Sequence, residues 1–104
     1  MLDLTKDAAA MIERLVEAAA LPPGGGLRIA ERADHPALVM SLADAAGPQD
    51  RRVQTERATV YLAPVAAERL AGSTLDARTG ATGAAFYVRD AGLPGRRRGS
   101  SRRP

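Results

Sequence analysis

The sequence predicts an α+β domain, with an N-terminal helix and one short helix packed on mostly antiparallel short strands. Three observations predict it. Apolar residues recur at helical spacing early in the chain. From Leu27 the spacing changes to two. Several short alternating segments then follow, separated by turns containing Gly or Pro. The 104 residues suffice for one core. Hydrophobic residues at 45% and charged residues at 26% place the chain in the globular class. With aromatic residues at only 3%, that core must be built from Ala, Leu, Val and Ile.

Met1 to Leu4 alternate apolar and polar, as a short edge strand does. Thr5 offers a side-chain oxygen as N-cap, and Asp7 favours the positive end of the helix that follows. The helix is expected over Lys6 to Ala20, with Ala8, Ile12, Leu15, Val16 and Ala19 as its apolar stripe. Pro22 and Pro23 should stop it, because neither donates a backbone hydrogen bond. Gly24-Gly25-Gly26 reads as a permissive turn. It has a helix before it and a strand after it, the reverse of a phosphate-binding loop, and it lacks the lysine of one.

Leu27 and Ile29 point to one face, Arg28 and Ala30 to the other. A second strand is expected over Ala37 to Ala43, with Leu38, Met40 and Leu42 on one face. Arg32 to Pro36 forms the turn of this hairpin. A loop over Ala45 to Asp50 leads to two strands, Arg52 to Thr55 and Ala58 to Leu62. Pro64 suits the first turn of a short helix continuing to Ala71, and Gly72 its end. Strands over Thr74 to Arg78 and Ala84 to Arg89 flank a turn bounded by Gly80 and Gly83. The domain is expected to span residues 1–90.

Charge is concentrated at the C-terminus. The net charge is +3, but Arg96, Arg97, Arg98, Arg102 and Arg103 lie within the last nine residues. Without them, 10 basic residues face 12 acidic ones. A block of like charge among Gly, Ser and Pro is expected to be a disordered tail over 91–104, without a dedicated partner. Binding of nucleic acid or another anionic partner through that tail is the alternative. It is weakened because no aromatic residue interleaves the arginines. It is weakened further by an Arg-over-Lys excess that looks like GC-rich coding. Ala8 to Leu21, interrupted by Glu13, Arg14 and Glu17, is too short and charged to span a bilayer. No signal peptide is recognisable, so a cytoplasmic protein with no membrane association is expected.

Cysteine is absent. That excludes disulfides, thiolate zinc sites and a cysteine nucleophile. The order of segments nevertheless resembles the HesB/IscA-like family of A-type iron–sulfur carriers. Leu4-Thr5 with Ala8, Ala9 and Ile12 is similar to its opening helix, and Gly26-Leu27-Arg28-Ile29 to its first core strand. Val60-Tyr61-Leu62-Ala63-Pro64, with Ala67, Leu70, Gly72, Leu75 and Asp76, is similar to its middle segment. Gly83-Ala84-Ala85-Phe86-Tyr87-Val88 is similar to its closing strand. The resemblance covers residues 2 to 90 and implies a HesB-like fold.

Carriers of this family hold a cluster with one cysteine between the first two core strands and a Cys-X-Cys pair near the C-terminus. Here the first position falls around His35 to Ala37. The second falls beyond Val88, where Arg89-Asp90-Ala91-Gly92 stands. No ligand carries over. His35 with Asp34, Asp44 and Asp50 could hold a divalent metal only if their loops converge, and oxygen with one nitrogen suits a sulfide-bridged cluster poorly. Ser41, His35 and Asp44 make a catalytic triad on paper, but no nucleophile elbow surrounds Ser41, which falls inside a strand. The sequence therefore assigns no catalytic, cofactor-binding or metal-binding residue and no cofactor. The expected function is that of a non-enzymatic, cysteine-less relative of the iron–sulfur assembly proteins. It would work by protein–protein contact, with a homodimer as one form. Weak iron or cluster binding by other ligands is the remaining alternative.

Overall fold

The computed structural model describes residues 2–32, 35–80 and 83–90, with backbone alone at His35, Pro36 and Asp90. The described elements run β1 (Asp3–Leu4), α1 (Lys6–Ala18), β2 (Gly26–Arg32), β3 (His35–Ala43), β4 (Arg51–Gln54), β5 (Thr59–Leu62), α2 (Pro64–Arg69), β6 (Ser73–Gly80) and β7 (Gly83–Asp90). They build two sheets. One has the order β1-β6-β7, the other β3-β2-β5-β4. β1 is parallel to β6 and β2 to β5, while the β2–β3, β4–β5 and β6–β7 pairs are antiparallel. This is the expected α+β architecture.

The helix α1 packs on β6 of one sheet and on β2 of the other, and α2 packs on β2 and β5. The core lies between them. Leu2, Ile12, Ile29, Val60 and Leu75 are its largest fully buried side chains. Burial of each such side chain stabilises by about 1.5–3 kcal/mol. The alternation expected from Leu27 holds, since Leu27 and Ile29 are buried while Arg28 and Ala30 are only partly covered. The stripe expected on α1 does not hold throughout. Ala8, Ala9, Met11 and Ile12 are its buried residues, whereas Leu15 is 37% exposed. Its neighbour Val16 still packs against the core, so helical spacing alone could not tell which members of the stripe are covered.

The helix also ends earlier than Pro22. Ala20 adopts a left-handed conformation with φ 54°. The Ala20 N–H donates to the Glu17 carbonyl and the Leu21 N–H to the Val16 carbonyl. This is a Schellman closure with alanine where glycine is the usual residue. The prolines follow a helix that has already stopped.

Two glycines of the 24–26 run have separate reasons. Gly24 has φ +93°. Gly26 is not in a turn at all but opens β2, where a Cβ would lie 2.3 Å from the Thr59 carbonyl oxygen. The β2–β3 hairpin is longer than expected. β2 runs on to Arg32 and β3 begins at His35, with Arg32 opposite His35 and a register irregularity at Glu31/Arg32. Ala33 and Asp34 of the expected turn lie outside the described residues. In the last hairpin Gly80 faces Gly83, as expected.

Two substitutions test these backbone readings in opposite directions. Ala20→Gly relieves the left-handed alanine and is expected to raise stability by about 0.5–1 kcal/mol. Gly26→Ala forces the β2 and β5 backbones apart and is expected to cost roughly 1–3 kcal/mol. Urea unfolding midpoints at constant m-value measure both.

Candidate functional site

The residues that sequence reasoning proposed for chemistry are not gathered by the fold. His35 opens β3 and Ser41 lies near its end. Six extended residues separate them, about 20 Å along one strand, which dissolves the paper triad. Asp44 follows the far end of β3 and is exposed, so it too stands at the opposite end of the strand from His35. Asp34 lies outside the described residues. Among the described residues no three His, Asp or Glu side chains converge.

Asp50 has another occupation. Its Oδ2 accepts from Arg28 Nε at 2.8 Å and its Oδ1 from Arg28 Nη2 at 3.0 Å, a bidentate pair. Oδ2 also accepts from the Gly47 N–H at 2.8 Å. The Asp50 N–H in turn donates to the Gly47 carbonyl at 3.2 Å. The Asp50 side chain is 2% exposed, that of Arg28 34%. The hydrogen bond from Arg28 holds the Asp50 carboxyl below the ordinary carboxylate range, aided by the Gly47 amide and opposed by desolvation. The reciprocal bond to Asp50 raises Arg28. The effect is structural. Arg28 stands on the face of β2 that points away from the core, and the pair ties the loop between β3 and β4 down onto that face. Beside it Tyr61, opposite Arg28 in register, donates its hydroxyl hydrogen to the Gly24 carbonyl. Two loops are thus fastened over the same side of the sheet.

A second polar cluster sits on the small sheet. The Thr5 hydroxyl accepts from the Ala8 N–H at 3.1 Å, as an N-cap should, and donates to Asp76 Oδ1 at 2.7 Å. That oxygen also accepts from the Ala77 N–H at 2.8 Å. Asp76 Oδ2 accepts from the Tyr87 hydroxyl at 3.1 Å and pairs with Arg89 at 3.3 Å. Arg78 Nε donates to the Tyr87 oxygen at 2.6 Å, and its guanidinium lies 5.3 Å from the ring centroid. The Thr5 hydroxyl is the largest influence holding Asp76 below its usual range, followed by the Ala77 amide, with Tyr87 and Arg89 acting in the same direction.

A groove of about 510 Å³ opens between β4 and α2. Leu2, Val53, Leu62 and Ala67 line its apolar part, and Arg51 and Glu68 stand at its polar rim. Its dimensions fall in the range of small-ligand sites, but that range also asks for convergent polar groups. The charged residues here are exposed at its mouth.

Sequence reasoning missed both fastened carboxylates. The sequence offers Asp50 only as a loop acid and candidate metal ligand, and Asp76 only as a matched family position. Their partners lie 22 and 71 residues away. The one usable signal was the alternation that set Arg28 on the non-core face.

With this geometry in hand, the fold can be compared with known structures. No family model matches the chain, and no curated protein matches it either. Solved structures do. Escherichia coli SufA, described as involved in biosynthesis of iron–sulfur clusters, superposes with a TM-score of 0.67 at 22% identity, over 86% of this chain and 84% of that one. IscA, solved with its [2Fe-2S] cluster, gives a TM-score of 0.63 at 24% identity, over 86% and 85%. A protein from Aquifex aeolicus solved in solution gives 0.67 at 18% identity, over 86% and 90%. The chain has the HesB/IscA-like fold. Its residues do not fit an iron–sulfur cluster of the thiolate kind. The chain has no cysteine, and the carboxylate of Asp50 is already engaged by Arg28 and Gly47.

Both lowered carboxyls make stability depend on pH with one sign. The stabilisation is fully present above the unfolded-state value of about 3.9 and is lost as pH falls through the lower folded-state values. Thermal unfolding midpoints should therefore be level near neutrality and fall below about pH 4. Asp50→Asn should lower the neutral plateau by about 1–3 kcal/mol, since it replaces a charge-assisted pair. It should also flatten part of the acid limb.

Proposed function

We propose that this chain is a non-enzymatic protein of iron–sulfur cluster assembly that acts by contact with other proteins and carries no cluster on ligands of its own. One conjunction carries the reading. The chain has the fold of SufA and IscA over most of its length, yet it contains no cysteine. Clusters are held chiefly by thiolates. A scaffold of this shape without thiolates retains its surface and its strand edges as means of recognition. The same lack of convergence at Ser41, His35 and Asp44 supports a role other than catalysis.

The contact is assigned to the domain of residues 1–90 rather than to the arginine-rich segment that follows it. The body has the strands and grooves that a protein partner can read, whereas the segment offers charge alone.

Two measurements test the proposal together. After anaerobic incubation with iron and sulfide and then desalting, the purified full chain should be colourless and free of iron. Immobilised in native cytosol, it should retain cluster-assembly proteins identified by mass spectrometry. The version lacking residues 96–104 should retain them equally. A brown protein that keeps its iron through gel filtration would overturn the ligand-free reading. Capture that enriches no assembly protein, or that disappears with residues 96–104, would overturn the contact reading.

A further inference from the structure

We propose that the open edge of β4, with the apolar groove beside it, docks an extended segment of a protein partner that reads apolar-acidic-acidic along its chain and adds antiparallel to the sheet. The inference rests on the protein-contact reading and names the surface and the chemistry of the partner.

The first observation fixes which backbone groups of β4 face outward. The Thr55 N–H donates to the Ala58 carbonyl at 2.8 Å, so this pair, just beyond β4 and β5, is a hydrogen-bonded one. Direction alternates along a strand, so Val53 opposite Val60 and Arg51 opposite Leu62 turn their peptide groups toward β5. The other side of β5 agrees. The Ala63 N–H donates to the Ile29 carbonyl at 3.0 Å, so Ala63 and Tyr61 face β2, and Leu62 and Val60 face β4. Arg52 and Gln54 are left with N–H and C=O groups pointing out of the sheet, and β4 is the last strand on that side. An antiparallel strand laid opposite them can exchange two backbone hydrogen bonds at each.

The second observation is the groove itself. Val53 and Arg51 share the core side of β4, and both line the cavity of about 510 Å³. Leu2 and Leu62 form its buried floor, and Ala67 of α2 stands across from them. The lining lacks the convergent polar groups of a small-molecule site. The polar groups beside it are the two outward rungs of β4, and they are backbone. On a strand paired with β4, the side chain opposite Val53 emerges on the groove side of the sheet, and its neighbours emerge on the other. An apolar side chain at that position meets apolar surface.

The third observation is charge. Arg28, Arg57, Arg69 and Arg89 each pair with a carboxylate of this chain. Arg51 and Arg52 are exposed on opposite faces of β4, and among the described residues neither guanidinium has a hydrogen-bond or ion-pair partner. The one acid of the groove lining is Glu68, on the α2 side. Charge on an edge strand turns away segments of like sign and attracts those of opposite sign. Two acids, one opposite Arg51 and one opposite Arg52, complement the edge as cross-strand pairs. With the apolar residue opposite Val53, and read in the antiparallel sense, the partner runs apolar, acidic, acidic.

The full chain, labelled with nitrogen-15, carries the test. The probe is a capped peptide of threonines with one leucine followed by two glutamates at its centre. Titrated with it, the amide signals of Arg52 and Gln54 should shift along one saturable curve. Arg51→Gln and Arg52→Gln should each weaken binding about two- to fivefold, the worth of an exposed ion pair. Exchanging the peptide's leucine for serine should weaken it about tenfold, because the groove loses its occupant. N-methylation of the first glutamate, which faces Arg52, removes one rung of the ladder and should also cost about tenfold. Absence of a saturable shift at Arg52 and Gln54 would eliminate the proposal. So would binding that N-methylation leaves intact, or equal binding by a peptide with lysine in place of glutamate or by a single-stranded oligonucleotide. Shifts of the same amides when the chain is concentrated alone would give the edge to a second copy and overturn the proposal too. A chain that captures assembly proteins but never binds the peptide would remove the docking site alone. A chain that binds the peptide at β4 and captures none would remove the cluster-assembly role and leave the site standing.

Discussion

The Thr5–Asp76 contact is the joint on which the rest of the architecture turns. Thr5 caps α1 and, through its hydroxyl, bonds the carboxylate of β6 at 2.7 Å. Its backbone N–H reaches the Leu75 carbonyl at 3.0 Å. One residue therefore ends a strand, starts a helix and fixes both to the small sheet. Because α1 also packs on β2 of the large sheet, the angle at which it leaves Thr5 determines how the two sheets meet. Ala8, Ala9, Met11 and Ile12 lie within the first two turns after that joint, and they are the residues the helix buries. Beyond them Leu15 emerges at 37% exposure while Val16 still packs against the core.

A core poor in aromatic residues imposes close approach. Most of its members are Ala, Val, Leu and Ile, so filling the interior to native density requires backbones as well as side chains to come near. Gly26 against the Thr59 carbonyl is the clearest case. The single buried aromatic side chain, Tyr61, is on the opposite face of the sheet and uses its hydroxyl to hold the Gly24 turn. The small interior also explains why Leu42 and Val88 are left partly outside, whereas Val39 lies on the face of β3 turned away from the core. Two helices cover only the inner faces of the sheets, and the outer strands extend past that cover.

What the sequence disclosed and what it concealed follow a physical division. Period and punctuation revealed every element, because alternation at Leu27 to Ala30, the cap at Thr5 and Pro64 at a helix start are local. The ends of α1 and β3 were misplaced for local reasons too. An alanine at Ala20 takes the conformation expected of glycine, and a strand continues through Pro36 at an open edge where its missing N–H costs no ladder bond. The HesB/IscA-like fold was legible because the order and spacing of its segments are present in the sequence. The two fastened carboxylates were not legible. Asp50 and Asp76 find Arg28 and Thr5 across 22 and 71 residues, and nothing in the neighbouring sequence distinguishes an acid that will be paired from one that will be solvated.

That last distinction bears on function. A loop acid near a histidine is a candidate ligand when only composition is known. The fold turns Asp50 into a fastening by supplying a bidentate arginine and a backbone N–H, and it separates His35 from Asp44 by the length of β3. Asp50 and Asp76 are thereby committed to holding loops and sheets in place, each to partners inside the same chain.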